Sequence, residues 1–174
     1  MNTNVAIIIP VYNEADVLGS VIRSVLKHFK YVICVNDGSK DNSEKIIKEH
    51  IRKNKKSGLI YKYISKENGG KGSAIREGIK KSTGHIIIVQ DADLEYNPEE
   101  YAVLLQPVLD GFADVVYGSR FMGGNAHRVL FFWHTIGNRF LTFLSNMFTN
   151  LNLTDKGLVS FDLNIFSCIQ GLIQ

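Results

Sequence analysis

Val5-Ala6-Ile7-Ile8-Ile9-Pro10-Val11-Tyr12-Asn13-Glu14 decides the architecture. Val5 to Pro10 is a short unbroken apolar run, the pattern of a strand buried on both faces. A polar cluster ends it. Val17, Leu18, Val21, Ile22, Val25, Leu26 and Phe29 then recur with the 3.6-residue period of a helix over 15–29. The alternation repeats outward from there. Tyr31 to Val35, Leu59 to Ile64, His85 to Gln90 and Val115 to Tyr117 read as further strands. Asp41, with Glu44 three residues on, reads as a capping box opening a second helix. A third helix follows the glycine-rich stretch Glu67 to Gly72 and runs to about Lys81, and Pro98 suits the first turn of a fourth, running to about Asp110. Strands and helices in this order predict an α/β fold with a mostly parallel sheet covered by helices on both faces.

In such folds ligands bind outside the carboxyl ends of the strands. Pro10-Val11-Tyr12-Asn13-Glu14, Asn36-Asp37-Gly38-Ser39, Asp91-Ala92-Asp93 and Gly118-Ser119-Arg120 each follow an expected strand, so they should converge on one edge of the sheet. Asp91 and Asp93 stand just past an apolar strand and can turn two carboxylates toward one ion. Hard oxygen ligands suit Mg or Mn, and Glu95 can add a third oxygen. The competing reading is a turn-and-cap cluster ahead of the Pro98 helix. Asp37 can accept a bond from a base N–H or a ribose hydroxyl, or simply form an Asp-Gly turn. Tyr12 can lay its ring on a nucleobase and Glu14 can reach ribose or base, against plain helix-entry chemistry.

Asn68-Gly69-Gly70-Lys71-Gly72 is similar to a phosphate cradle without matching the P-loop or dinucleotide patterns. Lys71 there either neutralises phosphate or sits solvated on a turn. Arg120 offers a guanidinium fork for phosphate beside the acidic cluster, and Arg128 is a second candidate.

The chain of 174 residues is 45% hydrophobic, enough for one ordinary domain with a real core. Of its 20 Lys and Arg, all but Arg120, Arg128, Arg139 and Lys156 lie at or before Lys81. That asymmetry reads as a solvated basic face or as attraction to anionic lipid or phosphate. No nucleic-acid partner is expected. Cys34 lies in an apolar run and reads as core, and no disulfide framework is expected. With neither a signal peptide nor an apolar stretch long enough to span a bilayer, the expected location is cytoplasmic. From Arg128 to Leu153 the only other charge is Arg139, while Leu130, Trp133, Phe140, Leu144, Met147 and Leu151 follow a helical period. This segment either closes the core or lies in a membrane interface.

Taken together, these ordered motifs, with Asp41 and Pro98-Glu99, closely resemble the family 2 inverting glycosyltransferases over about residues 4–155. Within that family the sequence is most similar to the dolichol-phosphate mannosyltransferase and polyprenol-phosphate glycosyltransferase branch. The resemblance implies a GT-A (Rossmann-like) fold. It implies that Pro10, Tyr12, Glu14 and Asp37 contact the nucleoside and that Asp91, Ala92, Asp93 and Glu95 surround the Mg or Mn ion and the diphosphate. It further implies that Arg120 meets the acceptor phosphate, that Asp93 and Arg120 carry catalysis, and that the segment with Trp133, Asn138 and Phe140 rests on a bilayer. The implied reaction moves a hexose from a nucleoside-diphosphate sugar to a polyprenol phosphate at the cytoplasmic face of a membrane; the alternatives are a family 2 transferase acting on a saccharide hydroxyl in surface polysaccharide synthesis, or a truncated nucleotide-sugar-binding remnant without turnover.

The expected division is a nucleotide-sugar domain over 1–125, amphipathic acceptor helices over 126–155 and an atypical tail over 156–174. Asn36 stands where many members carry a first Asp, and Glu95 where several carry Gln. After Leu153-Thr154-Asp155 the family's usual Met-x-Thr segment is replaced by Lys156-Gly157-Leu158-Val159-Ser160-Phe161, which reads as a truncated or frameshifted end.

Overall fold

The computed structural model describes residues 5–54, 60–93, 98–117 and 159–162, together with Ile136, Phe140, Phe143, Leu144, Asn146 and Met147. The elements are β1 (Val5–Val11), α1 (Ala15–His28), β2 (Tyr31–Asp37), α2 (Ser43–Asn54), β3 (Ile60–Lys66), α3 (Lys71–Lys81) and β4 (Ile86–Val89). A 3-10 turn (Pro98–Glu100) then leads into α4 (Tyr101–Leu109), followed by β5 (Val115–Tyr117) and β6 (Val159–Asp162). The strands form one sheet in the order β3-β2-β1-β4-β6-β5. The β1–β2, β1–β4 and β2–β3 pairs are all parallel. Val159–Asp162, within the stretch 156–174, is a strand between β4 and β5. By internal packing the chain divides into a unit of Met1–Val116 with Ser160–Gln174 and a second unit, Tyr117–Val159.

The apolar runs become central strands because both sheet faces are covered. Every residue of β2 is buried, including the polar pair Asn36 and Asp37 at its end. Side chains alternate across a strand. Ala6 and Ile8 of β1, Tyr31, Ile33 and Val35 of β2, and Ile87 of β4 therefore share one face, where they pack with Ala74 and Ile79 of α3. The opposite face of β3 carries Tyr61 and Tyr63. Tyr63 lies under the ammonium of Lys48 of α2, 5.6 Å from the ring centre, so α2 covers that side. Cys34 also lies on that side, hydrogen-bonded to Tyr61 Oη at 3.3 Å. Burial pushes the Cys34 thiol up to about 12, so it is a protonated core group, as its apolar context predicts.

The α3–sheet contact is close because Gly78 has no side chain. A Cβ there would stand 2.7 Å from Ile8 Cγ2 and 3.3 Å from Val35 Cγ2. Ile8 is fully buried and its β-branched side chain has little rotameric freedom. Gly78→Ala is therefore expected to destabilise the protein by about 1–2 kcal/mol, overpacking outweighing the helix-propensity gain of Ala. Urea denaturation should show a lower midpoint at unchanged slope; an equal or higher midpoint would contradict this packing.

Candidate functional site

Parallel register sets the site. Val11 is level with Asn36, and Asp37 is level with Lys66. The Gln90 N–H donates to Ile8 O at 2.9 Å, so Asp91 emerges beside the end of β1. The carboxyl ends of β1, β2 and β4 and the start of α3 enclose a cavity of about 470 Å³. It is lined by Pro10, Tyr12, Glu14, Asp37, Asp91, Ala92 and Asp93, all singled out from the sequence, and by Asn68, Gly70 and Lys71 of the glycine-rich stretch. Glu95, Arg120 and Arg128, with Trp133 and Asn138, lie outside the described residues.

Alternation sends the last two residues of β2 to opposite faces. Asn36 turns toward the α2 side, donating to Tyr63 Oη at 3.3 Å and accepting from the Ser39 N–H at 2.9 Å. It uses both a donor and an acceptor, which a carboxylate at this position could not supply. Asp37 turns toward α3. Its Oδ1 accepts from Lys66 Nζ at 2.5 Å and from the Gly69 N–H at 3.0 Å. Burial alone would raise the Asp37 carboxyl, but the Lys66 ammonium and the N–H groups of Gly69 and Gly70 outweigh it and hold the pKa below the usual carboxylate value. Gly38, at φ +73°, brings the backbone against Asn68, where a Cβ would meet the Asn68 nitrogen at 2.9 Å. Lys66 was not marked by the sequence reading. Parallel register could have found it, since it is Asp37's partner on the next strand.

A second lock places Tyr12 and Glu14. Asn13, at φ 55°, donates its N–H to Ser39 Oγ at 3.1 Å and accepts from the Lys40 N–H at 2.8 Å. The Glu14 N–H donates to Ser43 Oγ at 3.1 Å. Asp41 does not form the expected capping box. Its Oδ1 accepts from the Ser43 N–H and its Oδ2 from the Ala15 N–H, both at 3.0 Å, while Glu44 pairs with Lys48 a turn further on. The reason is position. Asp41 lies two residues before α2 begins, so its carboxylate bridges the starts of α1 and α2 instead of capping one. Tyr12, 47% exposed, is left with its ring open to the cavity.

Asp91 is set against a cation already. Lys71 Nζ lies 2.5 Å from Asp91 Oδ1 and 2.7 Å from Oδ2. Glu14 is raised above its usual value, by burial first and then by the charges of Asp93, Asp41, Asp16 and Asp91. Two carboxylates, Asp91 and Asp93, are donors of the type that can hold a divalent cation whose shell is completed by waters and substrate phosphates. Among the described residues no group of three His, Cys, Asp or Glu surrounds one point.

Residues 6–164 match the family model described as glycosyl transferase family 2. This chain belongs to that family. Its fold is the GT-A arrangement: a mannosyltransferase from Pyrobaculum calidifontis, solved with GDP-Man and Mn2+, superposes over 95% of this chain and 46% of its own, with a TM-score of 0.69 at 17% identity. Among curated relatives of the family 2 chain, the UDP-N-acetylglucosamine–dolichyl-phosphate N-acetylglucosaminyltransferase of Methanococcus voltae is 29% identical, covering 86% of this chain and 65% of the relative. The undecaprenyl-phosphate 4-deoxy-4-formamido-L-arabinose transferase of Proteus mirabilis is 36% identical, covering 64% of this chain and 35% of the relative. The family 2 chain thus spans less than two thirds of the length of these relatives.

The depressed Asp37 carboxyl gives a signed expectation. A group whose pKa is lowered by folding contributes stability above its unfolded value, near 4, and loses it as the pH falls through the folded value. Asp37→Asn should cost about 1–3 kcal/mol at pH 7, because Lys66 is left without its counter-charge. Denaturant titrations of both proteins should show that gap narrowing below about pH 4; a gap that is constant or widens toward pH 3 would contradict the pairing.

Proposed function

We propose that the protein transfers a hexose from a nucleoside-diphosphate sugar to a polyprenol phosphate, with inversion and with the help of Mg or Mn, at the cytoplasmic face of a membrane. The observation that carries this reading is the meeting, in one cavity, of an open aromatic ring (Tyr12), hydrogen-bonding carboxylates (Glu14 and Asp37), a glycine turn and a carboxylate pair (Asp91 and Asp93). Tyr12 stacks on the base and Glu14 bonds the base or ribose. Asp37, rigidly held by Lys66 and Gly69, presents its remaining lone pairs to the nucleoside. Pro10 and Ala92 shape the walls.

Asp91 and Asp93, with Glu95, would hold the divalent ion, whose bound charge offsets the negative charge that develops on the departing diphosphate. Arg120 adds a guanidinium to the same task and, with Arg128, takes the acceptor phosphate. An acceptor phosphate oxygen attacks the anomeric carbon from the face opposite the diphosphate. The sugar–diphosphate C–O bond breaks and the nucleoside diphosphate leaves. A phosphate acceptor is already anionic at neutral pH, so no general base is required. That matters here because two of the cavity carboxylates already face cations, Asp37 the Lys66 ammonium and Asp91 that of Lys71.

Two further observations support a lipid acceptor. Both relatives described above are named for polyprenol-type phosphates, dolichyl and undecaprenyl. Ile136, Phe140, Phe143 and Met147, all at helical positions, recur every three or four residues and are 44–63% exposed. That spacing forms one apolar stripe suited to contact with a bilayer surface. No helix among the described residues is long and apolar enough to cross a membrane.

The test is product analysis of the full-length protein with Mn2+, a panel of nucleotide-sugars and a polyprenol phosphate. One donor should yield a glycolipid phosphate and free nucleoside diphosphate, and Asp93→Ala should cut the rate at least about 100-fold. Transfer only to saccharide hydroxyls, or undiminished transfer by Asp93→Ala, would contradict the proposal.

A further inference from the structure

Lys71 occupies the wrong end of its helix. It is the first residue of α3, whose first turn has no acidic residue and whose N-terminus carries partial positive charge. A cation is unfavourable there unless an anion is close by. The anion is Asp91, twenty residues on in sequence, whose two carboxylate oxygens both lie within hydrogen-bond distance of the Lys71 ammonium. Those are the oxygens a divalent cation would take.

The Lys71 side chain is 59% exposed and the Asp91 side chain 27% exposed, so the pair is well hydrated and readily exchanged. Gly70, at φ +84°, precedes Lys71 and Gly72 follows it, and a Cβ at either would meet nothing within 4 Å. The four-carbon stem therefore has room to move, and its ammonium is a point charge that binds phosphate from many directions. The helix start beneath it favours the same anion.

We propose that Lys71 is a built-in counter-cation for Asp91 that yields to the divalent ion and passes to the diphosphate of the donor. Resting on the donor-site reading above, this makes cation binding conditional on the nucleotide. With Lys71 on Asp91, a divalent ion alone must displace an ammonium; when the diphosphate arrives, the ammonium has a second anion to move to, and the carboxylate is released to the ion.

The test compares Mn2+ binding, followed by the free-ion paramagnetic resonance signal, in the full-length wild type and Lys71→Met. Each is measured alone and with UDP or GDP. Without nucleotide, Lys71→Met should bind Mn2+ about three- to ten-fold more tightly, because an exposed pair is worth up to about five-fold and the repulsion between the two cations is also removed. With Mn2+ present, the variant should bind the nucleoside diphosphate about ten-fold more weakly, having lost a charge-assisted contact. An unchanged or weaker Mn2+ affinity in Lys71→Met overturns the counter-cation role, and an unchanged nucleotide affinity overturns the transfer to diphosphate. A wild type that binds no Mn2+ with either nucleotide sinks the donor-site reading itself. That outcome is distinct, because the first two are read from the variant relative to a wild type that binds.

Discussion

Asp37 ties three chain segments together at the rim of the cavity. It ends β2, meets Lys66 at the end of β3 across a parallel register, and receives the N–H of Gly69 from the turn that starts α3. Its burial would be costly without these partners, since an unpaired carboxylate in the interior is expensive. With them, the position of the glycine turn, and so of Lys71, is set by where β2 stops. Gly38 allows the close approach, because any side chain at that point meets the Asn68 backbone. The cavity is therefore a consequence of sheet register before it is a consequence of any loop.

The electrostatics of the rim follow from the same geometry. Two lysines are each matched to one carboxylate, Lys66 to Asp37 and Lys71 to Asp91. The first pair is largely shielded, with side chains 22% and 4% exposed; the second is open, at 59% and 27%. Shielded pairs hold structure and exposed ones exchange at little cost. Asp37 is accordingly a fixed feature of the rim and Asp91 an adjustable one.

Much of this was legible in the sequence, for physical reasons. β1, β2 and β4 are central strands covered on both faces, so their apolar runs are continuous and their ends conspicuous. Because all three run parallel, the polar residues after each had to meet at one edge, and Pro10, Tyr12, Glu14, Asp37, Asp91, Ala92 and Asp93 do line one cavity. Pairings between distant segments were not legible. Lys71 with Asp91 and Asp41 with Ala15 depend on how loops cross, which no local period encodes. The Asp41–Glu44 spacing satisfied the capping-box pattern, yet the helix began two residues later. β6 was hidden because Val159-Ser160-Phe161-Asp162 lacks the continuous apolar run that marks β4, and its place between β4 and β5 skips over a long intervening segment.

In the function proposed above, a nucleoside diphosphate and a divalent ion share the cavity at the ends of β1, β2 and β4. Paramagnetic broadening of amide resonances by Mn2+ tests it directly, because the effect reports distance from the ion residue by residue. With UDP or GDP present, the amides of Asp91, Ala92 and Asp93 and of Gly69 to Lys71 should broaden first. Those of Tyr31, Lys62 and Thr83, which hydrogen-bond together at the start of β2, should stay sharp. Broadening centred away from Asp91 and Asp93, or unaltered by either nucleotide, would contradict the account.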